Sequence, residues 1–350
     1  MTELCAEDTY GPGDPVGISV VIPNLNGERF LPQCLSSLER QKFRPLEVIV
    51  VDNGSRDGSV GLIEKDFPRV RLVKLPENTG FAHACNLGIN AAAAKYVALL
   101  NNDTEVEPGW LDELYRAAEK DDRVGMVSSK VLLDEVTREI DSVGMLIYPD
   151  GIGRQRGRGE IDRGQYDREE EVLFAHGAAA LYRKAMFEEI GVFDEDFFAY
   201  AEDTDIGLRA RLAGWKSVFA PGAVVYHRYS KTTGTYSAFK ALHLERNRIW
   251  VAVKNFPLSW LVRVPFYSLL RYALQLYGAF AGKGNAAGYG QSLSAADYVL
   301  TGLTAYCQAL KGLPRMIGKR RTVRRRLSGG EFAALLSCHR ISVSELLLKD

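Results

Sequence analysis

The sequence lacks a long apolar run, a paired-cysteine motif and a net charge. No stretch reaches 18 uncharged apolar residues. The nearest candidates, Tyr272–Gly282 and Tyr298–Leu310, are too short and too broken by polar residues and glycine to span a bilayer. The five cysteines, Cys5, Cys34, Cys85, Cys307 and Cys338, are scattered, odd in number and form no CxxC pair. That argues against a zinc site and fits a reducing compartment. The segment Met1 to Gly17 is polar and acidic, without the apolar core of a signal peptide. These absences lead to the expectation of a cytoplasmic protein. Disorder throughout is excluded by 46% apolar and 25% charged residues, which is ordinary globular usage.

The zero net charge hides an asymmetry. Residues 1–226 hold 25 Lys and Arg against 39 Asp and Glu, and residues 227–350 hold 19 against 5. An acidic front and a basic, aromatic rear suggest two parts with different partners. From Lys311 to Arg326 there are eight basic residues and no acidic one. With Trp250, Phe256, Trp260, Phe266, Tyr267, Tyr272, Tyr277 and Phe280 upstream, this region suits anionic lipid better than nucleic acid. An ordinary helical domain with a solvated basic face has the same composition.

Turn-forming residues mark out the front half. Residues 1–16 read as a flexible leader. Gly17–Pro23 predicts a buried strand, Glu28–Gln41 a helix, Leu46–Val51 a second strand and Val70–Lys74 a third. An Ala-rich helix follows over Phe81–Ala94, then a fourth strand over Tyr96–Leu100. Apolar strands without period-2 alternation, separated by helices, predict a mostly parallel sheet covered on both faces. Ligands of such sheets bind beyond the carboxyl ends of the strands. Three strands end there in polar groups: Pro23-Asn24, Asp52-Asn53-Gly54-Ser55 and Asn101-Asn102-Asp103. Residues 150–171 are glycine-rich and charged, which predicts a mobile surface loop, either a flap or an insertion. Val218–Ala220 and Val224–Tyr226 predict two short strands before His227.

Chemistry can be assigned to these ends. Asp52 can accept from the imide N–H of uracil or thymine, or simply close an Asx turn. Asp103 can hold one divalent cation whose other ligands are a diphosphate and water. Asn101 stands where a second carboxylate would strengthen that site. Glu202, Asp203 and Asp205 crowd one helix start, where mutual repulsion needs compensation and where a general base is available. Capping of that helix is the plainer role. His227 is a candidate metal or phosphate partner, and His176 a candidate for an acceptor pocket.

These residues fall within VVIPNLNGERFL (20–31), VDNGSRDGS (51–59), ENTGFAHACNLGI (77–89), LLNNDTEVEPGWL (99–111) and FFAYAEDTDIGLRARLAGW (197–215). In that order they resemble family 2 of the inverting glycosyltransferases, and within it the bacterial rhamnosyltransferase-like branch. HLERNRIW (243–250) resembles the basic segment that ends the family's core.

The resemblance implies the GT-A fold, an α/β Rossmann-like sheet flanked by helices, over 17–240. A helical, basic, membrane-associating region follows over 241–350. It places Pro23, Asn24, Asn26, Asp52, Asn53, Asn78, Gly80, Asn86, Asn101, Asn102 and Asp103 around a nucleotide-diphospho-sugar, either dTDP- or UDP-linked. Asp103 and His227 become ligands of Mn2+ or Mg2+. Asp203 becomes the catalytic base with Glu202 beside it, and His176 and Asp205 lie toward the acceptor. The implied reaction transfers a sugar, with L-rhamnose as the leading choice, to a saccharide or lipid-linked acceptor in cell-surface polysaccharide synthesis. The enzyme would sit peripherally on the inner face of the cell membrane and bind no nucleic acid. The basic C-terminal helices would meet anionic lipid or pair subunits as a homodimer. The alternative is a degenerate nucleotide-sugar-binding scaffold subunit, for which the missing first aspartate is the support.

Overall fold

The computed structural model describes residues 17–44, 46–227, 237–281, 294–342 and 345. The leader at 1–16, and Cys5 within it, lie outside the described residues.

The front half alternates as its apolar runs require. β1 (Ile18–Asn24) leads to α1 (Leu31–Glu39), β2 (Leu46–Asn53) to α2 (Ser59–Asp66), and β3 (Arg71–Leu75) to α3 (Phe81–Ala91). β4 (Tyr96–Leu100), β5 (Thr104–Val106), α4 (Trp110–Glu119) and β6 (Val124–Leu132) follow. Three short strands come next, β7 (Ile140–Ser142), β8 (Met145–Ile147) and β9 (Gly153–Gln155), with β10 (Glu170–Glu171) and β11 (Ala179–Arg183) after them. α5 (Lys184–Ile190), α6 (Glu202–Leu212) and β12 (Lys216–His227) complete the sheet region. The rear is helical: α7 (Ala238–Asn255), α8 (Leu258–Leu261), α9 (Val264–Ala281), α10 (Ala295–Thr322) and α11 (Gly329–Cys338).

The sheet order is β10-β12-β6-β11-β4-β1-β2-β3. β3, β2, β1 and β4 are parallel, as the crossovers demand. β11 enters antiparallel between β4 and β6, and β6 runs parallel to β12. β12 is one strand with a register shift between Ala220 and Val224, where Pro221 cannot donate to the ladder, so the two expected short strands are a single irregular one.

Both faces are buried. Ile18, Val20 and Ile22 of β1 face one apolar cluster with α1 and α4, and Val21 faces another with α3 and α6. Each such side chain stabilises the fold by roughly 1.5–3 kcal/mol. The second cluster continues into the rear helices through Trp250, Phe256, Trp260, Met316, Phe332 and Leu336, without a break near residue 240. α6 is therefore covered on both sides, and every residue from Thr204 to Leu212 is buried.

Two expectations change here. The 150–171 segment contains β9 and β10 and is pinned to the sheet. Arg158 binds Asp141 at 2.5 Å, and Lys130 of β6 reaches Asp162 at 3.2 Å and also Asp167. Arg158, Asp162 and Asp167 are thereby internal partners of β6 and β7. The basic run is occupied in the same way. Arg315 and Lys319 pair with Asp196, Lys319 also with Asp194, and Arg324 and Arg326 with Glu189. Arg320 and Arg325 donate to the carbonyls of Val253 and Lys254. Six of the eight basic side chains thus hold the rear of the chain to itself and to its acidic front.

Candidate active site

The carboxyl ends of β1, β2 and β4 are joined by a run of buried amides. Asn102 Nδ2 donates to Asn24 Oδ1 at 2.7 Å, and Asn24 Nδ2 donates to Asp52 Oδ1 at 2.8 Å. Parallel pairing sets this up, because Asn24 lies directly beside Asp52. Ser55 N–H donates to the other Asp52 oxygen at 3.1 Å. A carboxylate has about four acceptor positions, so Asp52 retains capacity for a ligand N–H. Asn26, at φ 51, takes the left-handed turn that asparagine tolerates, and its Oδ1 accepts from Arg56 N–H. Pro23 stands one residue inside the strand end, beside Val51.

The next loop is tied to β2 through Asn53. Its Oδ1 accepts from Thr79 N–H and hydroxyl, and its Nδ2 donates to Asn78 Oδ1 and the Gly80 carbonyl. Gly80 has φ +95, and a Cβ there would lie 2.6 Å from the Phe198 ring. Asn86 is placed differently from the others. Its amide donates to the Phe193 carbonyl and Glu195, and its Oδ1 accepts from Phe193 N–H. It anchors α3 to the 193–195 turn instead of facing the strand ends.

Beyond β4, Asp103 meets His227. The pairing of β12 with β5 places His227 opposite Thr104, the residue after Asp103. His227 Nε2 lies 3.4 Å from Asp103 Oδ1, and its Nδ1 lies 2.9 Å from Asp141 Oδ2. Burial opposes the charged imidazole, but the hydrogen bonds and charges of Asp103 and Asp141 outweigh it and push His227 up to about 10. The imidazolium has no lone pair for a metal, but a divalent cation on Asp103 would displace the Nε2 proton and leave the neutral ring, held at Nδ1 by Asp141, as a ligand. A His held in this way by a carboxylate fits the chemistry of such a site. Among the described residues no group of three His, Cys, Asp or Glu side chains is arranged to hold a metal, so these residues offer two ligands. Asn101 Oδ1 is buried close by in sequence without a hydrogen-bond partner.

His176 and Gly177 connect this corner to α6. The His176 ring centroid lies 6.4 Å from that of His227, and its buried Nδ1 has no hydrogen-bond partner. Burial lowers the pKa of His176. The adjacent Gly177 N–H donates to Asp203 Oδ2 at 3.3 Å, and Thr204 N–H donates to Asp203 Oδ1 at 2.6 Å. Glu202 is buried with Oε2 unpartnered, and burial together with the Asp203 charge pushes it up to about 8. Both causes favour the neutral acid at Glu202 and so disfavour a second full charge beside Asp203.

Asp205, expected near the acceptor, is a correction. It is fully buried between α6 and α7, bound by Arg209 at 2.8 Å, Lys254 at 2.9 Å and Asn255 at 2.9 Å. Burial raises its carboxyl, and the Lys254 and Arg209 charges more than reverse that. Two residues of helical rotation separate Asp203 on the open side from Asp205 inside.

Two residues at the site were missed. Asp141 sits in EIDSVG with no motif around it, and only the neighbouring of β7, β6 and β12 brings it to His227. Asn247 lies in a segment read as basic, and its amide faces the backbone before Glu202. The sequence carried no signal for Asp141, and for Asn247 only its place in HLERNRIW, which was read for its basic residues.

The family model for glycosyl transferase family 2 matches residues 19–191. Over 293 residues the chain is 31% identical to the N-acetylglucosaminyl-diphospho-decaprenol L-rhamnosyltransferase of Mycobacterium tuberculosis strain CDC 1551 / Oshkosh. The match spans 73% of this chain and 87% of that protein. The crystal structure of S. aureus TarS 1-349 with UDP matches at TM-score 0.51 and 17% identity, over 92% of this chain and 90% of that one. GalNAc-T7 with UDP, GalNAc and Mn2+ matches at TM-score 0.57 and 16% identity, over 71% of this chain and about half of that one, 49%. The structures share the GT-A fold, and the relative in sequence shares the family: the chain belongs to family 2 of the glycosyltransferases.

Proposed function

We propose that the chain is an inverting enzyme that transfers L-rhamnose from a dTDP- or UDP-linked donor to a hydroxyl of a lipid-linked saccharide. One observation carries this reading. Consecutive residues His176 and Gly177 contact the two halves of one site, the Asp103–His227 pair and the Asp203 carboxylate. A cation-binding corner for a diphosphate and a carboxylate for an acceptor hydroxyl are thereby adjacent. The sugar and the acceptor class are chosen by analogy with the mycobacterial relative, whose name gives both. The nucleotide is chosen because Asp52 suits the imide edge shared by uracil and thymine.

Asp52 takes the imide edge of the base, and the strand-end amides line the nucleotide. A divalent cation, Mn2+ or Mg2+, on Asp103 and His227 would supply positive charge against the leaving diphosphate. Asp141 keeps the His227 ring turned toward Asp103. Asp203, oriented by Gly177 N–H and Thr204 N–H, accepts the proton of the acceptor hydroxyl as that oxygen attacks the sugar carbon. His176 faces the acceptor side.

Contact with the membrane rests on apolar side chains. Leu258, Val262, Phe266 and Leu269 on and between α8 and α9 are 65–76% exposed. No helix among the described residues is long and apolar enough to cross a membrane.

The test is thermal unfolding with UDP, dTDP and GDP, each with and without Mn2+, on wild type, Asp103→Ala and Asp203→Asn. A nucleotide at 100 times its Kd should add about 2.7 kcal/mol. The expected result is metal-dependent stabilisation by UDP or dTDP, weakened in Asp103→Ala and kept in Asp203→Asn. Transfer should fall at least about 100-fold in Asp203→Asn. Absence of nucleotide stabilisation in wild type would overturn the donor site.

A further inference from the structure

We infer that Asn247 is a positioning residue, whose side-chain amide holds the left-handed turn from which Glu202 and Asp203 project. The inference rests on Asp203 being the base.

The turn is unusual in its backbone. Phe198, Tyr200 and Ala201 have φ 63, 67 and 64. None is glycine, asparagine or aspartate, the residues that accept this region with little cost. A segment free of its surroundings would relax to negative φ. Strain of this kind persists only where neighbouring structure over-determines it.

Asn247 supplies that restraint. It is fully buried on α7, and its Nδ2 donates to the carbonyls of Phe197 at 3.0 Å, Ala199 at 3.0 Å and Tyr200 at 2.6 Å. Three carbonyls converge on one amide nitrogen with two protons, so the turn is drawn to a single point. Arg246 adds a donor to the Phe197 carbonyl at 2.9 Å. From the other side, Ala82 N–H donates to the Phe198 carbonyl at 3.2 Å, and the Phe198 ring occupies the space a Gly80 side chain would need. The turn is clamped between α7 and the start of α3. Ala201, at the end of the clamp, is the N-cap of α6, one residue before Glu202 and two before Asp203.

A buried amide can also be plain structure, and α7 has one for comparison. Asn255 is equally buried, but its Nδ2 donates to Asp205 and to the Val251 carbonyl of its own helix. It supports the α6–α7 contact and no strained turn.

The experiment uses the full chain, dTDP-L-rhamnose as donor and a synthetic N-acetylglucosaminyl diphospho-prenol as acceptor. It compares N247A, N247A/A201G, N255A and D203N, reading kcat, donor KM, dTDP affinity and Tm. N247A should lower kcat about 100-fold, as a small misplacement of a reacting group does. Its dTDP affinity and donor KM should stay within about threefold of wild type. Glycine at 201 takes positive φ without strain, so N247A/A201G should recover kcat at least about tenfold over N247A. N255A should lose Tm while its kcat, below the melting range, stays within about threefold. Three outcomes overturn the inference: N247A with near-wild-type kcat, a loss that A201G does not relieve, or loss of dTDP binding in parallel with kcat. If D203N itself retains turnover, the assignment of the base has failed, whatever Asn247 does.

Discussion

Asp141 holds His227 by a 2.9 Å contact between its Oδ2 and the imidazole Nδ1, and both side chains are buried. Burial works against the Asp141 charge, but His227, His176 and Arg158 bring the carboxyl down to about 2. A ring fixed in this way keeps its other nitrogen aimed at Asp103. Asp141→Ala should leave the ring free to turn and weaken cation binding about 10–100-fold. A Mn2+ titration of dTDP stabilisation checks this. The midpoint should shift upward while the plateau survives, and an unchanged midpoint would show that Asp141 has no part in orienting the ligand.

Glu202 predicts a pH dependence of stability with a definite sign. Its folded pKa is raised from 4.5 to about 8, first by burial and then by Asp203. Below about 4.5 the group is neutral in both states and costs nothing. Between there and 8 the unfolded chain releases the proton and the folded chain keeps it, so stability falls as pH rises. Glu202→Gln lacks this loss. Its advantage over wild type should widen by up to about 1.4 kcal/mol per pH unit from about pH 5 to 8 and then level off. Paired urea titrations at pH 5, 6, 7 and 8 measure the gap, and a constant gap would mean that Glu202 ionises normally.

Gly80→Ala should damage the donor side and the base together. The new Cβ would lie 2.6 Å from the Phe198 ring and 2.8 Å from the Phe198 carbonyl, at φ +95. The carbonyl is backbone and already accepts from Ala82, so the turn before Glu202 must shift. A stability loss of about 1–3 kcal/mol is expected from the strain alone. The more telling measurement is turnover under conditions where the variant is folded, which should fall further than dTDP binding does.

The parts of this protein that were legible in its sequence are those specified locally. Tyr96–Leu100 was bounded to the residue because an apolar run meets Lys95 on one side and Asn101 on the other. The parallel sheet followed from strands buried on both faces. The helix expected over Glu28–Gln41 is shorter, Leu31–Glu39, because Gly27 and Glu28 are spent on hydrogen bonds to Ser59 and Asp57 of the neighbouring loop. The roles of Asp141 and Asn247 were invisible because they depend on strand and helix neighbours far off in the chain. The charge asymmetry was visible, but its meaning was not: composition does not reveal whether a basic run faces lipid or the acidic surface of its own fold.

Asp205 tests how α6 is held. Its carboxylate is shared by Arg209, Lys254 and Asn255, and Lys254 also reaches Asp194 at 2.7 Å. Removing Asp205 leaves the buried Arg209 without a carboxylate and Lys254 with Asp194 alone. Asp205→Ala should cost about 3–5 kcal/mol, measured by urea unfolding. Asp205→Asn, which keeps the shape, should lose most of the same amount, because the missing element is charge.

The occupied basic run predicts how the protein meets a membrane. Exposed ion pairs such as Arg326–Glu189, at 2.9 Å, contribute about 0.2–1 kcal/mol each, but together they set the charges of Arg315, Lys319, Arg324 and Arg326 against carboxylates of the same chain. In the proposed membrane contact, adsorption would then fall to the exposed Leu258, Val262, Phe266 and Leu269. Apolar insertion is insensitive to screening, whereas attraction to anionic headgroups fades once the Debye length drops to about 4 Å near 0.5 M salt. Binding to neutral phosphatidylcholine vesicles should therefore survive about 0.5 M salt and be lost in a Leu258→Ser, Leu269→Ser double variant. Replacing Lys311 and Arg321 by glutamine should change it little. Co-sedimentation confined to anionic vesicles and abolished by salt would reverse the assignment, because it would place the attraction on the basic side chains.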